Sequence, residues 1–217
     1  LISNCYFTVG NIVMRQKIGI PMGIDPAPFW ANLFLYTCEH DYIKKLIKED
    51  RVKAKHFHST WRFIDDLCIV NDRGMFKRVF KDIYPDELEL KVEHDGDSGT
   101  FLNLDISVEE GQFVYKLYDK RDAFPFSIVR MPYLCSNIPR KIFYSALVGE
   151  FLRIARATLR VSDFIPKDVD LVNRMLNQGG DRKSVEHFLL KIIRRHPDSF
   201  SQFRLRPEDL IQKCFPN

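Results

Sequence analysis

Residues 60–70 read TWRFIDDLCIV: aromatic and β-branched residues on both sides of two adjacent carboxylates, Asp65 and Asp66. Strand-forming flanks around a pair of acids predict a tight antiparallel hairpin whose tip carries the charges. A turn by itself accounts for an Asp, because the side chain bonds nearby backbone. Two carboxylates in one small volume, however, repel unless a cation neutralises them, and hard oxygen ligands of this kind suit Mg²⁺.

Upstream, residues 15–35 read RQKIGIPMGIDPAPFWANLFL. The Gly-Pro-Gly punctuation predicts a loop between a strand or hairpin over residues 5–14 and a long helix ending near Lys48. Asp25 is expected to cap that helix, with Phe29, Trp30, Leu33, Phe34 and Thr37 on one face. The glycines let a backbone approach a flat base pair or sugar, or simply connect strand to helix. Downstream, Asp72 is placed to cap a helix with Phe76, Val79, Phe80 and Ile83 at helical spacing, ended by Pro85. Three alternating segments follow, LELKVEHD (88–95), TFLNLDISV (100–108) and QFVYKLYD (112–119), which predict an antiparallel meander. Beyond a Pro-containing connection, helices are expected over Arg140–Arg160, Lys167–Gln178 and Arg182–Arg195.

The fold class expected is therefore α+β, with a sheet-and-helix domain over residues 1–120 and a connection plus basic helical domain over residues 121–217. Charge follows the same division: residues 1–120 hold 16 basic and 19 acidic residues, and residues 121–217 hold 17 and 10. The basic half suits contact with a polyanion, or is a solvated face of basic helices. Arg153, Arg156 and Arg160 recur at spacings of three and four, which predicts one basic stripe that tracks a nucleic-acid backbone or faces solvent. The five cysteines are odd in number and lack C-x-x-C spacing, which argues against a disulfide framework or zinc ribbon and for an intracellular setting, nuclear or cytoplasmic. The longest apolar stretch falls short of the roughly 18 residues a membrane span requires, so no membrane is expected.

In order, RQKIGIPMGIDPAPFWANLFL, RFIDDL and FLNLDI resemble the palm of reverse transcriptase, the RNA-directed DNA polymerase. The wording IPMG, RFIDD, LYDKRD and SNIP is similar to that of Penelope-like retroelements. The resemblance implies a polymerase palm, an antiparallel sheet with helices on one face, followed by a helical thumb. It implies two-metal nucleotidyl transfer to a primer 3′ hydroxyl, with two Mg²⁺ ions, an RNA or DNA template with primer, and deoxynucleoside triphosphates as partners. Residue by residue, Asp65 would be a metal ligand beside the primer end, and Asp66 a second acid. Gln16, Gly19, Pro21, Met22, Gly23 and Phe63 would face template or nucleotide, and Phe101, Leu102 and Asn103 would form the primer grip. Phe63 stands where Tyr is usual and Asn103 where Asp is usual.

The family's chemistry needs a further Asp from a strand before the Gly-Pro-Gly loop, and residues 1–18 contain no Asp or Glu. Asp25, Asp41 and Asp105 read as helix cap, helix surface and strand surface. The chain is therefore expected to be part of a longer polymerase, lacking the upstream catalytic strand and fingers and inactive on its own. A nucleic-acid-binding remnant without activity and an RNA-dependent RNA polymerase are the rival readings.

Overall fold

Four two-residue hairpin turns set the strands of this chain. The computed structural model describes residues 4–21, 23–126, 128 and 131–215; Met22 lies outside them. Strands β1 (Tyr6–Val9) and β2 (Ile12–Arg15) turn at Gly10–Asn11, and β3 (Thr60–Phe63) and β4 (Asp66–Ile69) turn at Ile64–Asp65. Strands β5 (Ser98–Phe101), β6 (Leu104–Glu109) and β7 (Gln112–Leu117) turn at Leu102–Asn103 and Glu110–Gly111. Among the described residues all pairings are antiparallel, in sheets of two, two and three strands. The fold is thus α+β, with the strands in three separate small ladders.

The chain divides into two compact units, Leu1–Val92 and Glu93–Asn217. In the first, α1 (Ala27–Glu49) leads through a short α2 (Arg51–Ala54) and a 3₁₀ turn (Lys55–Ser59) into the β3–β4 hairpin, and α3 (Met75–Ile83) follows. Phe76, Phe80, Ile83 and Tyr84 are the buried centre of this unit, packed by Leu35, Cys38 and Tyr42 of α1 and by Leu67 and Ile69 of β4. Gly74, not Asp72 as expected, holds the N-cap position of α3; from two residues further back the Asp72 carboxylate accepts from the Phe76 amide at 2.8 Å and satisfies a free N–H of the first turn.

Two expectations for α1 are corrected. Asp25 does not cap the helix: Pro26 holds the N-cap position, and no side chain bonds the first turn. The inner face is not Phe29, Leu33 and Phe34, which are 65%, 48% and 48% exposed. Instead Asn32, Leu35, Cys38, Glu39 and Tyr42 turn inward. Two of these are polar, and hydrogen bonds from Arg62 compensate their burial.

The second unit holds the β5–β7 meander and helices α4 (Arg140–Arg156), α5 (Val161–Asn177), α6 (Arg182–Arg195) and α7 (Pro207–Cys214). Phe143, Leu147 and Phe151 of α4 share its core with Phe164 and Leu171 of α5, Leu189 of α6 and Leu210 of α7. Segment 88–95, expected as the first meander strand, forms no strand, and TFLNLDISV is itself a hairpin. Leu102, at φ +56°, supplies the turn without a glycine. Helix α4 stops at Arg156, short of the expected Arg160, and α5 begins six residues before Lys167 with Pro166 inside it. Among the described residues, no helix is long and apolar enough to cross a membrane.

Candidate functional site

The hairpin carries its acids where the sequence places them. Phe63 pairs with Asp66, and Ile64–Asp65 are the two turn residues. Both carboxylates are exposed, as is the Phe63 ring at 53%. The amide of Val70 bonds the Ser59 carbonyl at 2.9 Å, extending the ladder one pair beyond the strands. Ile64 takes φ +54°, a left-handed conformation that costs a β-branched residue about 1–2 kcal/mol. A strained turn persists only where its surroundings hold it.

What holds it is Arg62, whose side chain is only 12% exposed. Alternation along β3 sends Trp61 and Phe63 outward and Arg62 inward. Its guanidinium donates from Nε to Glu39 Oε1 at 2.6 Å and from Nη2 to Glu39 Oε2 at 3.2 Å, the forked geometry that Lys cannot reproduce. Nη1 donates to Asn32 Oδ1 at 2.7 Å and to the Ile64 carbonyl at 3.3 Å, reaching the turn itself. The Tyr84 hydroxyl, at the end of α3, donates to Glu39 Oε1. Burial and that carboxylate push the Tyr84 phenol well above its ordinary range. The acid hairpin is thus tied at one guanidinium to α1 and, through Glu39, to α3. This network is absent from the sequence reading; its signal is a cation in the middle of an apolar, alternating strand.

The loop before α1 is built on two positive-φ glycines, Gly19 at +87° and Gly23 at +93°. Any other residue is strained at those angles. Pro21 between them is buried. The Gln16 amide donates to the Ile18 carbonyl at 3.1 Å, so it braces the loop. The segment expected to grip a primer, Phe101, Leu102 and Asn103, forms a second hairpin tip in the other unit, with Leu102 and Asn103 exposed. Asp105, read above as strand surface, faces Lys116 across the sheet at 3.5 Å.

The basic stripe is corrected. Arg153 and Arg156 end α4, while Arg160 lies past the helix at the N-cap of α5. Each is engaged within the chain: Arg153 with Glu150 at 2.7 Å, Arg156 with Ser199 Oγ at 3.0 Å, and Arg160 with Glu109 at 2.7 Å. The three do not form one continuous rank.

Among the described residues, no group of three or more His, Cys, Asp or Glu gathers as a metal site. Asp65 and Asp66 supply two adjacent carboxylates, the number Mg²⁺ commonly takes from protein when phosphate and water oxygens complete its octahedron. The donor set therefore fits a magnesium ion shared with a phosphate-bearing substrate. The chain matches no known protein family, no curated protein and no solved structure.

Proposed function

We propose that this chain is the palm and thumb portion of an RNA-directed DNA polymerase of a retroelement, with Asp65 and Asp66 as its metal-holding acids. The observation that carries the reading is the Arg62 network: an exposed acid pair on a strained turn, tied to the helix that follows the Gly-Pro-Gly loop. A turn serving only to reverse the chain needs neither two acids nor a half-buried guanidinium on its carbonyl. Bound Mg²⁺ would supply charge neutralisation for phosphoryl transfer. Asp65 and Asp66 would hold it, Arg62 keeps the turn that presents them, and the exposed Phe63 ring offers a stacking surface for a base or sugar. Gly19 and Gly23 let the loop backbone approach the nucleotide without a Cβ.

Two carboxylates suffice to bind a metal–nucleotide complex, while nucleotidyl transfer in this family uses a further acid. The expected result is Mg²⁺-dependent binding of a deoxynucleoside triphosphate by the 217-residue chain, lost in the Asp65→Asn, Asp66→Asn double variant, without primer extension. Binding that ignores Mg²⁺, or that survives the double substitution, overturns the reading. Primer extension by the chain alone overturns the expectation that a further acid is required.

A further inference from the structure

Helix α1 carries two apolar faces, and among the described residues its own unit buries one of them. Leu35, Cys38 and Tyr42 lie on the packed side. On the other, Phe29, Leu33, Tyr36, His40, Ile43 and Ile47 follow one another at intervals of four, three, four, three and four. That is the heptad spacing which lines one side of a helix for packing against a second helix. Phe29 is 65% exposed, Leu33 48%, Tyr36 55% and Ile47 48%; His40 is exposed and Ile43 half-buried. At 1.5 Å rise per residue the seam runs about 27 Å. The Tyr36 and His40 rings lie 5.6 Å apart, and His40 Nδ1 is 3.2 Å from Asp41 Oδ1, so the middle of the seam is braced within the helix.

We propose that a second copy of this chain docks on the seam, α1 against α1, antiparallel about a twofold axis. A heptad seam is self-complementary: reversed about the midpoint of residues 29–47, Phe29 of each copy meets Ile47 of the other, Leu33 meets Ile43, and Tyr36 meets His40. Charge selects the orientation. Lys44 and Lys48, both exposed on one flank of the seam, would face their own counterparts in a parallel pair. The antiparallel pair sends them to opposite ends and brings Lys44 near Trp30 of the other copy, where an ammonium over an indole ring is favourable. Area sets the strength. An aromatic side chain presents about 150–250 Å², so the exposed fractions amount to roughly 500 Å² per copy and roughly 1,000 Å² per pair, the lower limit for a specific interface. The dimer is therefore weak, with a micromolar dissociation constant. A membrane surface would call for cations on both flanks, whereas the second flank carries Asn32 and Glu39, held by Arg62. The inference does not rest on the roles proposed for Asp65 and Asp66.

The test is sedimentation velocity of the full 217-residue chain between about 2 and 200 µM, a range that brackets micromolar affinity. The weight-average mass should rise toward twice that of the monomer. Leu33→Glu places a charge in the seam at an exposed position and should weaken association about tenfold or more. Phe113→Glu, at an exposed aromatic of β7 (53%), and Asp65→Asn should associate as the parent does. Phe29→Glu and Ile47→Lys should each weaken self-association, and an equimolar mixture of the two should recover it, because the antiparallel pair brings their opposite charges together. A parent that stays monomeric throughout overturns the proposal, as does undiminished association of Leu33→Glu or an equal loss in Phe113→Glu. A mixture that stays monomeric overturns the antiparallel arrangement. A monomeric parent that binds phosphatidylserine vesicles, with binding lost in Leu33→Glu, overturns the assignment to a second copy in favour of a membrane surface. Unchanged helical circular dichroism in the variants excludes unfolding as the cause.

Discussion

Asp168 sits in the middle of α5 with its side chain fully enclosed, and neither carboxyl oxygen has a hydrogen-bond partner. The Cys214 thiol of α7 donates to the Leu210 carbonyl at 3.1 Å and lies close enough to the Asp168 carboxyl to oppose, as a hydrogen-bonding group, the larger effect of burial. Burial pushes the Asp168 carboxyl up to about 7 from an ordinary value of 3.8. The native state thus keeps a proton that the unfolded chain releases once the pH passes its ordinary carboxylate value. Linkage then fixes the sign: the stability contribution is complete below about pH 4 and is lost as pH rises to about 7, a fall of about 4 kcal/mol in total. Asp168→Asn keeps the shape and removes the titration. Urea denaturation of both proteins at several pH values between about 4 and 8 should show Asn gaining on Asp by about 1.4 kcal/mol per pH unit across that window. Cys214, the one titratable group acting on Asp168, is itself pushed well up by burial and stays a neutral thiol throughout. Parallel pH profiles for the two proteins would refute the reasoning, because they would mean that Asp168 finds solvent or a partner in the folded state.

Arg62→Ala leaves Asn32 without its partner and Glu39 with the Tyr84 hydroxyl alone in a half-buried setting, and should destabilise the first unit by about 2–4 kcal/mol in chemical denaturation, with Arg62→Lys recovering less than half of that loss. Gly23→Ala places a side chain at φ +93° in open space, so its cost is backbone strain alone. A loss of about 1–2 kcal/mol is expected, read as a lowered denaturation midpoint with an unchanged slope.

The acid hairpin was legible because alternating apolar residues and two adjacent acids admit few other arrangements, and Asp72 marked the start of α3 only approximately, since Gly74 takes the N-cap and Asp72 reaches the Phe76 amide from two residues further back. The inner face of α1 was not. Its apolar residues at Phe29, Leu33 and Phe34 suggest one face, while the packed one carries Asn32 and Glu39, polar groups that only a distant Arg62 can satisfy. Hydrophobic periodicity does not register a buried ion pair formed 23 residues away. The turn at Leu102–Asn103 escaped for a local reason: a leucine at φ +56° gives no glycine signal, so two strands read as one. Pro166 misplaced the start of α5, because a proline normally opens a helix, whereas here it stands at the sixth residue. Helix α7 went unrecognised although Pro207 opens it, since eight residues give too short a periodic pattern.

On the proposed reading, Asp65 and Asp66 hold a divalent ion together with a nucleotide. Paramagnetic broadening by Mn²⁺, added as the Mg²⁺ substitute to ¹⁵N-labelled protein in the presence of a deoxynucleoside triphosphate, tests it directly. Broadening should centre on the amides of Phe63 to Leu67, reach Gly19 and Gly23 only with nucleotide present, and disappear in the Asp65→Asn, Asp66→Asn variant. Broadening centred elsewhere in the chain, or unchanged in that variant, would mean that the two acids do not hold the ion.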